Sequence, residues 1–151
     1  MIKAPSLDIG FWFPRPDRGA RLAQELRQRG HRVTIYHSRP VPEEHVRALY
    51  ALSAYTIYPS LLEGFGIPIL EAFNCGSPVL TSNITSMPEV AGGAAHLVDP
   101  YNVAHIAAAM VELVTNASLR EGLRQRGFER ARFFSWEKTA GIIMENLTMV
   151  L

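Results

Sequence analysis

Glu63 and Glu71 bracket the stretch Glu-Gly-Phe-Gly-Ile-Pro-Ile-Leu-Glu, in which two glycines and a proline separate two carboxylates. Gly64 and Gly66 allow a loop with unusual backbone angles and a close approach by another group. Pro68 suits the first position of a helix, where its missing N–H costs nothing. The first N–H groups of such a helix have no internal partner, and the helix dipole adds about half a positive charge there. A phosphate is the common occupant of that kind of end. The two glutamates should repel a phosphate, unless the ligand also carries hydroxyls that a carboxylate accepts. Glu71 lies about one turn into the helix, and side chains tilt back toward the N-terminus, so its carboxylate reaches the mouth of the loop. A ligand with phosphate in the middle and a sugar at each end satisfies all three features, and a nucleotide-sugar is such a ligand.

These groups need a strand before the loop and a helix after it. Ala54-Tyr-Thr-Ile-Tyr58 is a short apolar, β-branched and aromatic run, which reads as a buried strand that Pro59-Ser60 ends. Ile69, Leu70, Ala72 and Phe73 continue a mostly apolar buried helix, and Gly76 is its natural stop. Upstream, Leu7 to Phe13 reads as a strand and Pro14 to Gly19 as a loop, with Asp17 placed to cap a helix. Ala20 to Arg29 is an amphipathic helix closed by Gly30, Arg32 to His37 a second strand, and Pro42 to Ser53 a second helix with Val46, Leu49 and Tyr50 inward. Tyr55 to Tyr58 is the third strand, Val79 to Ser82 a fourth and Ala94 to Val98 a short fifth. Asp99-Pro-Tyr-Asn102 then turns into a long helix carrying Val103, Ile106, Met110 and Leu113; helices follow over Leu119 to Phe134 and Trp136 to Leu147. Strands alternating with helices imply an α/β fold, a Rossmann-like parallel sheet with helices on both faces. Such sheets bind ligands at the carboxyl ends of their strands. Glu63 and Thr81-Ser82-Asn83 both fall just past strand ends and should share one crevice. Capping and turn formation are the ordinary duties of the latter three.

A chain of 151 residues reads as one domain, with enough length for a sizeable core. Its hydrophobic share of 48% against 19% charged excludes a disordered class. The formal net charge of +1 gives no general case for nucleic acid or a strongly anionic membrane. The single cysteine excludes an intramolecular disulfide and makes the reducing cytoplasm the default. Cys75 itself reads as a small core residue. No apolar run is long enough to span a bilayer, and no signal peptide is visible. Arg120, Arg124, Arg126, Arg130 and Arg132 are interrupted by Glu121 and Glu129, which reads as a solvated helix face. The alternative is contact with anionic lipid headgroups.

Pro59-Ser60, Glu63-Gly-Phe-Gly-x-Pro-x-x-Glu71 and Cys75-Gly-Ser-Pro-Val79 together resemble the E-x7-E signature of retaining GT-B glycosyltransferases (glycosyltransferase family 4, group 1). The resemblance continues through Ser86-Met-Pro-Glu-Val90, Leu97-Val-Asp-Pro100 and Phe134-Ser-Trp136, and covers roughly Val41 to Leu147. Taken singly, each residue has a plainer duty. A glutamate early in a helix serves the dipole at the surface, a glutamate before a glycine is a loop residue, and two glycines make a turn. Their joint order after an apolar strand is what favours the site. The resemblance implies one half of a GT-B architecture, namely the C-terminal donor-binding domain over residues 1–151, shortened at its N-terminus and lacking the acceptor-binding domain. It implies that Glu71 accepts the ribose hydroxyls and that Glu63, the catalytic position, contacts the transferred sugar near its anomeric carbon. Backbone N–H groups from Gly64, Phe65, Gly66 and Ile67 would meet sugar and β-phosphate. The reaction would be hexosyl transfer with retention from a UDP-, GDP- or ADP-sugar, with no metal and no cofactor. Leaving-group charge then falls to helix N–H groups and basic side chains. The family carries those side chains in a Gly-Arg-x-x-Pro-Glu-Lys-Gly pattern. Pro16-Asp-Arg-Gly19 resembles its end, but Trp12 and Phe13 stand where Gly-Arg would be, or else the chain begins after that segment. Arg15 and Arg18 are the candidate phosphate contacts, with Arg39 behind them.

The implied partners are a nucleotide-sugar and, through the absent domain, a sugar or lipid-linked acceptor, with no nucleic acid. The last helix would leave an apolar face free for a second copy, and a peripheral position at the inner face of the cell membrane is compatible with the arginines. Two other functions fit the same architecture: a non-catalytic nucleotide-sugar-binding module and a nucleotide-sugar epimerase, against which the two glutamates argue.

Overall fold

Val79 and Leu80 are neighbours on one strand, yet they lie in two different hydrophobic cores. Successive side chains of a strand point to opposite faces, so the sheet that carries them is covered on both sides. The structure, a computed structural model, describes residues 8–13, 24, 27–28, 32–37 and 43–149. The chain divides into two compact units, Met1–Pro42 and Glu43–Leu151.

In the first unit, β1 (Asp8–Phe13) and β2 (Arg32–His37) pair in parallel, with Asp8 opposite Arg32 and Phe13 opposite His37. A parallel pair needs a crossover between its strands; Gln24, Arg27 and Gln28 within that crossover are helical, as expected.

The second unit runs α1 (Glu43–Leu52), β3 (Thr56–Tyr58), α2 (Ile67–Asn74), β4 (Val79–Ser82), α3 (Met87–Ala91), β5 (His96–Val98), α4 (Val103–Thr115), α5 (Ala117–Ala131) and α6 (Trp136–Thr148). Its three strands lie in the order β3-β4-β5, all parallel, with Tyr58 opposite Thr81 and Ser82 opposite Val98. Their carboxyl ends therefore lie along one edge. On one face of the sheet, Val79 joins Ile69, Ala72 and Phe73 of α2, Met87 and Val90 of α3, and Ala131 of α5. On the other, Leu80 and Val98 join Ala109 and Leu113 of α4 and Leu123 of α5. Helix α5 serves both cores, because Leu123 and Ala131 are about 12 Å apart along its axis.

Two local devices fix α2. At its end, Gly76 takes φ +72°. Its N–H donates to Phe73 O at 3.0 Å, and that of Ser77 donates to Ala72 O at 2.9 Å. This is the Schellman pattern, which needs a left-handed residue at that step. Across from it, buried Gly127 of α5 makes room for Phe73: a Cβ there would stand 2.8 Å from Phe73 Cδ1. Complete burial of a phenylalanine is worth roughly 1.5–3 kcal/mol, so this contact is a principal anchor of the helix.

The order of elements agrees with the sequence reading; strand and helix ends move by a residue or two, and the following details differ further. The described strands pair as a two-stranded ladder and a three-stranded sheet. Helix α2 starts one residue early, at Ile67, which moves Pro68 to its second position. Helix α5 starts at Ala117, two residues before its expected start, where the Asn116 side chain caps it, and ends at Ala131 before Phe134. Helix α3 was not expected, since five residues with a proline are too short to show periodicity.

Candidate functional site

The chain leaves β3 at Tyr58 and resumes regular structure at Ile67, and the turn between them is held by hydroxyls from two neighbouring segments. Ser82, at the end of β4, donates to the carbonyl of Ser60. Ser86 stands at the N-cap of α3 but makes no side-chain cap bond there. Its hydroxyl lies 3.1 Å from Glu63 O and 2.9 Å from Phe65 O instead. Thr85, just before it, has φ +56°, the one positive φ of a non-glycine among the described residues. Such a value in a β-branched residue is strained and persists only where surroundings impose it. The Phe65 ring meets Phe134 edge-on, with centroids 5.7 Å apart and planes at 85°.

Gly66 forms the N-cap of α2 with φ 102° and ψ 46°, and no side chain caps this helix. Its carbonyl accepts from Ile69 N at 3.0 Å. The N–H groups of Phe65, Gly66 and Ile67 make no hydrogen bond among the described residues. Gly64 corrects the sequence reading: it has no positive φ, so of the two glycines only Gly66 needs unusual backbone freedom. A Cβ on Gly64 would meet nothing within 4 Å, so its backbone is open to close approach.

Glu63 is half-buried, and its Oε1 accepts from Tyr58 Oη at 2.6 Å and from Ser60 Oγ at 2.8 Å. Glu71 is exposed, and its Oε2 accepts from Tyr50 Oη of α1 at 3.1 Å. Burial pushes the Tyr58 hydroxyl well above the ordinary phenol value; the hydrogen bond to Glu63 and the charges of Glu63 and Glu71 add to it. Burial likewise pushes up Tyr50, followed by the charge and hydrogen bond of Glu71. Both phenols stay protonated at neutral pH and act as donors. Glu63 acts on the Tyr58 hydroxyl through a hydrogen bond and its charge, Glu71 through its charge alone.

Thr81 and Ser82 are fully buried, and their hydroxyls donate to the carbonyls of Tyr58 and Ser60. They tie the end of β4 to the end of β3 and the turn after it. Arg15, Arg18 and Arg39 lie outside the described residues. The arginines of α5 are a correction. Arg120 donates to Leu113 O and Val114 O, Arg126 to Gly93 O, and Arg130 to Val90 O and Glu89 O. Arg130 also stacks 4.8 Å from the Phe134 ring. Three of the five arginines thus tie α5 to neighbouring carbonyls and do not form a purely solvated face. Cys75 is half-buried at the C-cap of α2, and not a core residue; burial pushes its thiol up. Among the described residues, no helix is long and apolar enough to cross a membrane.

Tyr50, Tyr58, Ser60 and Ser86 are the site residues that sequence reasoning did not assign. Tyr58 and Ser60 flank the motif, so their proximity to Glu63 was a usable signal. Nothing in the pattern links Tyr50 to Glu71, twenty-one residues on.

The model of the family described as glycosyl transferases group 1 matches residues 15–130. The O-antigen chain mannosyltransferase B of Escherichia coli is 47% identical over 97 residues, which span 64% of this chain and 26% of that protein. The MMP alpha-(1->4)-mannosyltransferase of Mycolicibacterium hassiacum is 33% identical over 110 residues, covering 70% of this chain and 27% of that protein. The chain therefore spans about a quarter of each relative's length. Among solved structures, the sucrose-phosphate synthase from Thermosynechococcus elongatus superposes over 100% of this chain and 47% of its own, with a TM-score of 0.76 at 19% identity. That likeness concerns the fold and agrees with a Rossmann-like parallel sheet flanked by helices. With a family model matching most of its length and curated mannosyltransferases among its relatives, the chain belongs to the glycosyl transferases group 1 family of enzymes.

Proposed function

We propose that the Glu63–Glu71 turn binds a nucleotide-diphosphate sugar, and that the chain is the donor-binding part of a retaining glycosyltransferase that moves a mannosyl or similar hexosyl group. The observation that carries this reading is the pairing of opposite features at one turn. Three N–H groups at a helix start that have no hydrogen-bond partner among the described residues attract phosphate, while two carboxylates beside them attract hydroxyls. In this reading Glu71 accepts both ribose hydroxyls, and Glu63 accepts from the transferred sugar next to its anomeric carbon. The N–H groups of Phe65, Gly66 and Ile67 meet the β-phosphate and the sugar, and take up charge as the diphosphate leaves. Open space over Gly64 admits the sugar ring against the backbone. The names of the relatives favour mannose among hexoses. The acceptor is a sugar or a lipid-linked sugar held by residues beyond this chain.

The test is calorimetric titration of the 151-residue chain with UDP, GDP and ADP, repeated on Glu71→Ala and Gly64→Ala. We expect saturable binding of one nucleotide, weakened about tenfold in Glu71→Ala, which is roughly 1.4 kcal/mol, the scale of one charge-assisted hydrogen bond. Gly64→Ala should keep its thermal midpoint, since its φ is ordinary and its Cβ meets nothing. It should nevertheless lose affinity for the nucleotide-sugar. Absence of binding for all three nucleotides would overturn the reading. Retention is checked by the anomeric proton signal of the product formed with the complete enzyme.

A further inference from the structure

We infer that Tyr58 and Tyr50 are positioning residues for the two site carboxylates, each pinning one carboxylate oxygen from inside the protein so that the other oxygen faces the ligand; this rests on the donor-site reading above. Tyr58 Oη and Ser60 Oγ converge on Glu63 Oε1, at 2.6 and 2.8 Å. Tyr50 Oη reaches Glu71 Oε2 at 3.1 Å. Among the described residues no hydrogen bond is made to Glu63 Oε2 or Glu71 Oε1. A carboxylate has about four acceptor positions over its two oxygens. The protein thus fills both positions of Glu63 Oε1 and one of Glu71 Oε2, and leaves the second oxygen of each group for hydroxyls.

The choice of tyrosine has physical reasons. A phenol is a neutral donor, so it orients the carboxylate without cancelling the charge that ligand hydroxyls are to meet. A lysine or arginine in its place would compete with the ligand for the same oxygens. A tyrosine also has only two side-chain torsions, and both rings pack against the core of Ile69, Ala72 and Phe73. The hydroxyl positions are therefore set by the hydrophobic core. Glutamate rotamers that would otherwise be frozen only on binding are frozen when the chain folds.

The two tyrosines stand at different ends of the ligand, which makes their effects separable. Tyr58 supports Glu63 at the transferred sugar; Tyr50 supports Glu71 at the ribose. The experiment compares a nucleoside diphosphate with its sugar conjugate (GDP with GDP-mannose, UDP with UDP-glucose, ADP with ADP-glucose) on Tyr58→Phe and Tyr50→Phe. Tyr58→Phe should raise Kd for the conjugate about fivefold and leave the diphosphate unchanged, and Tyr50→Phe should raise both by about the same factor, less than the full worth of a hydrogen bond to a charged group because the carboxylate itself remains. Ser60→Ala should act like Tyr58→Phe with a smaller effect. The Tyr58→Phe effect should vanish in a Glu63→Ala background, where no carboxylate remains to be held. Its persistence in that background, or an equal loss for both ligands, would show a role in folding alone and overturn the proposal. Binding by the unsubstituted chain that neither tyrosine variant alters would also overturn it, with the donor-site reading intact. Failure of the unsubstituted chain to bind any of the six ligands overturns the donor-site reading, and this proposal with it.

Discussion

Helices α2 and α6 reverse the usual relation between local signals and packing. Helix α6 has strong local signals. The Ser135 hydroxyl caps Lys138 N, Glu137 sits in the first turn, and the Lys138 ammonium donates to the carbonyls of Arg132 and Phe133. Yet no residue of α6 is buried, and Trp136 and Ile142 are 81% and 60% exposed. Helix α2 has weak local signals, with a left-handed glycine at the N-cap, a proline in its first turn and no capping side chain. It nonetheless buries Ile69, Ala72 and Phe73. Caps exist to satisfy the orphan N–H groups of a helix. Asn102, Asn116 and Ser135 do so for α4, α5 and α6. Ser86 leaves α3 without a side-chain cap because its hydroxyl goes to the glycine turn, and α2, whose N-terminus opens into the carboxylate turn, has no capping side chain. Helix α2 tolerates the omission because Phe73 and its neighbours hold it from the other side.

The first way to break this contrast is Gly66→Ala. A residue with a Cβ at φ 102° is strained, and that Cβ would lie 3.3 Å from Ile69 Cδ1. We expect a loss of about 3 kcal/mol in urea denaturation and loss of nucleotide binding; unchanged stability would show that the turn is not rigid. Next comes Gly127→Ala, which strikes the packing of α2 and not its N-terminus. Its Cβ would meet Phe73 at 2.8 Å, for an expected destabilisation of about 2 kcal/mol. If tertiary packing is what holds α2, nucleotide affinity should fall with stability in this variant. The smallest effect belongs to α6. Ser135→Ala should cost under about 1 kcal/mol and appear as faster amide exchange in the first turn of α6, with the global midpoint unchanged. A global shift would mean that α6 is coupled to the core. Acid should act in the same place. Glu137 is held below the ordinary carboxylate value, first by its own backbone N–H and then by the Ser135 hydroxyl. A depressed pKa contributes above the unfolded value and is lost as pH falls through the folded one. The first turn of α6 should therefore fray on acidification, while α2 does not.

Strands β2 and β4 lie where periodicity placed them, and α6 extends one residue past its expected end. Such elements are legible because alternation and helical period are local properties of the chain. The family was legible for a related reason: the E-x7-E spacing and the segments around it depend on chain order alone. The sequence also determined that two carboxylates, two glycines and a helix start would fall within nine residues. It did not show that Gly64 has ordinary backbone angles, that arginines of α5 bind carbonyls, or that Ser86 secures the glycine turn and leaves its own helix uncapped. Above all it did not pair Tyr58 with Glu63 or Tyr50 with Glu71. Those contacts depend on where parallel strands and their covering helices place side chains from separate segments. A one-residue change of register would turn Tyr58 to the other face of the sheet. Chain order decided which groups share the turn; the packing of α1, β3 and α2 decided which hydroxyls hold their carboxylate oxygens.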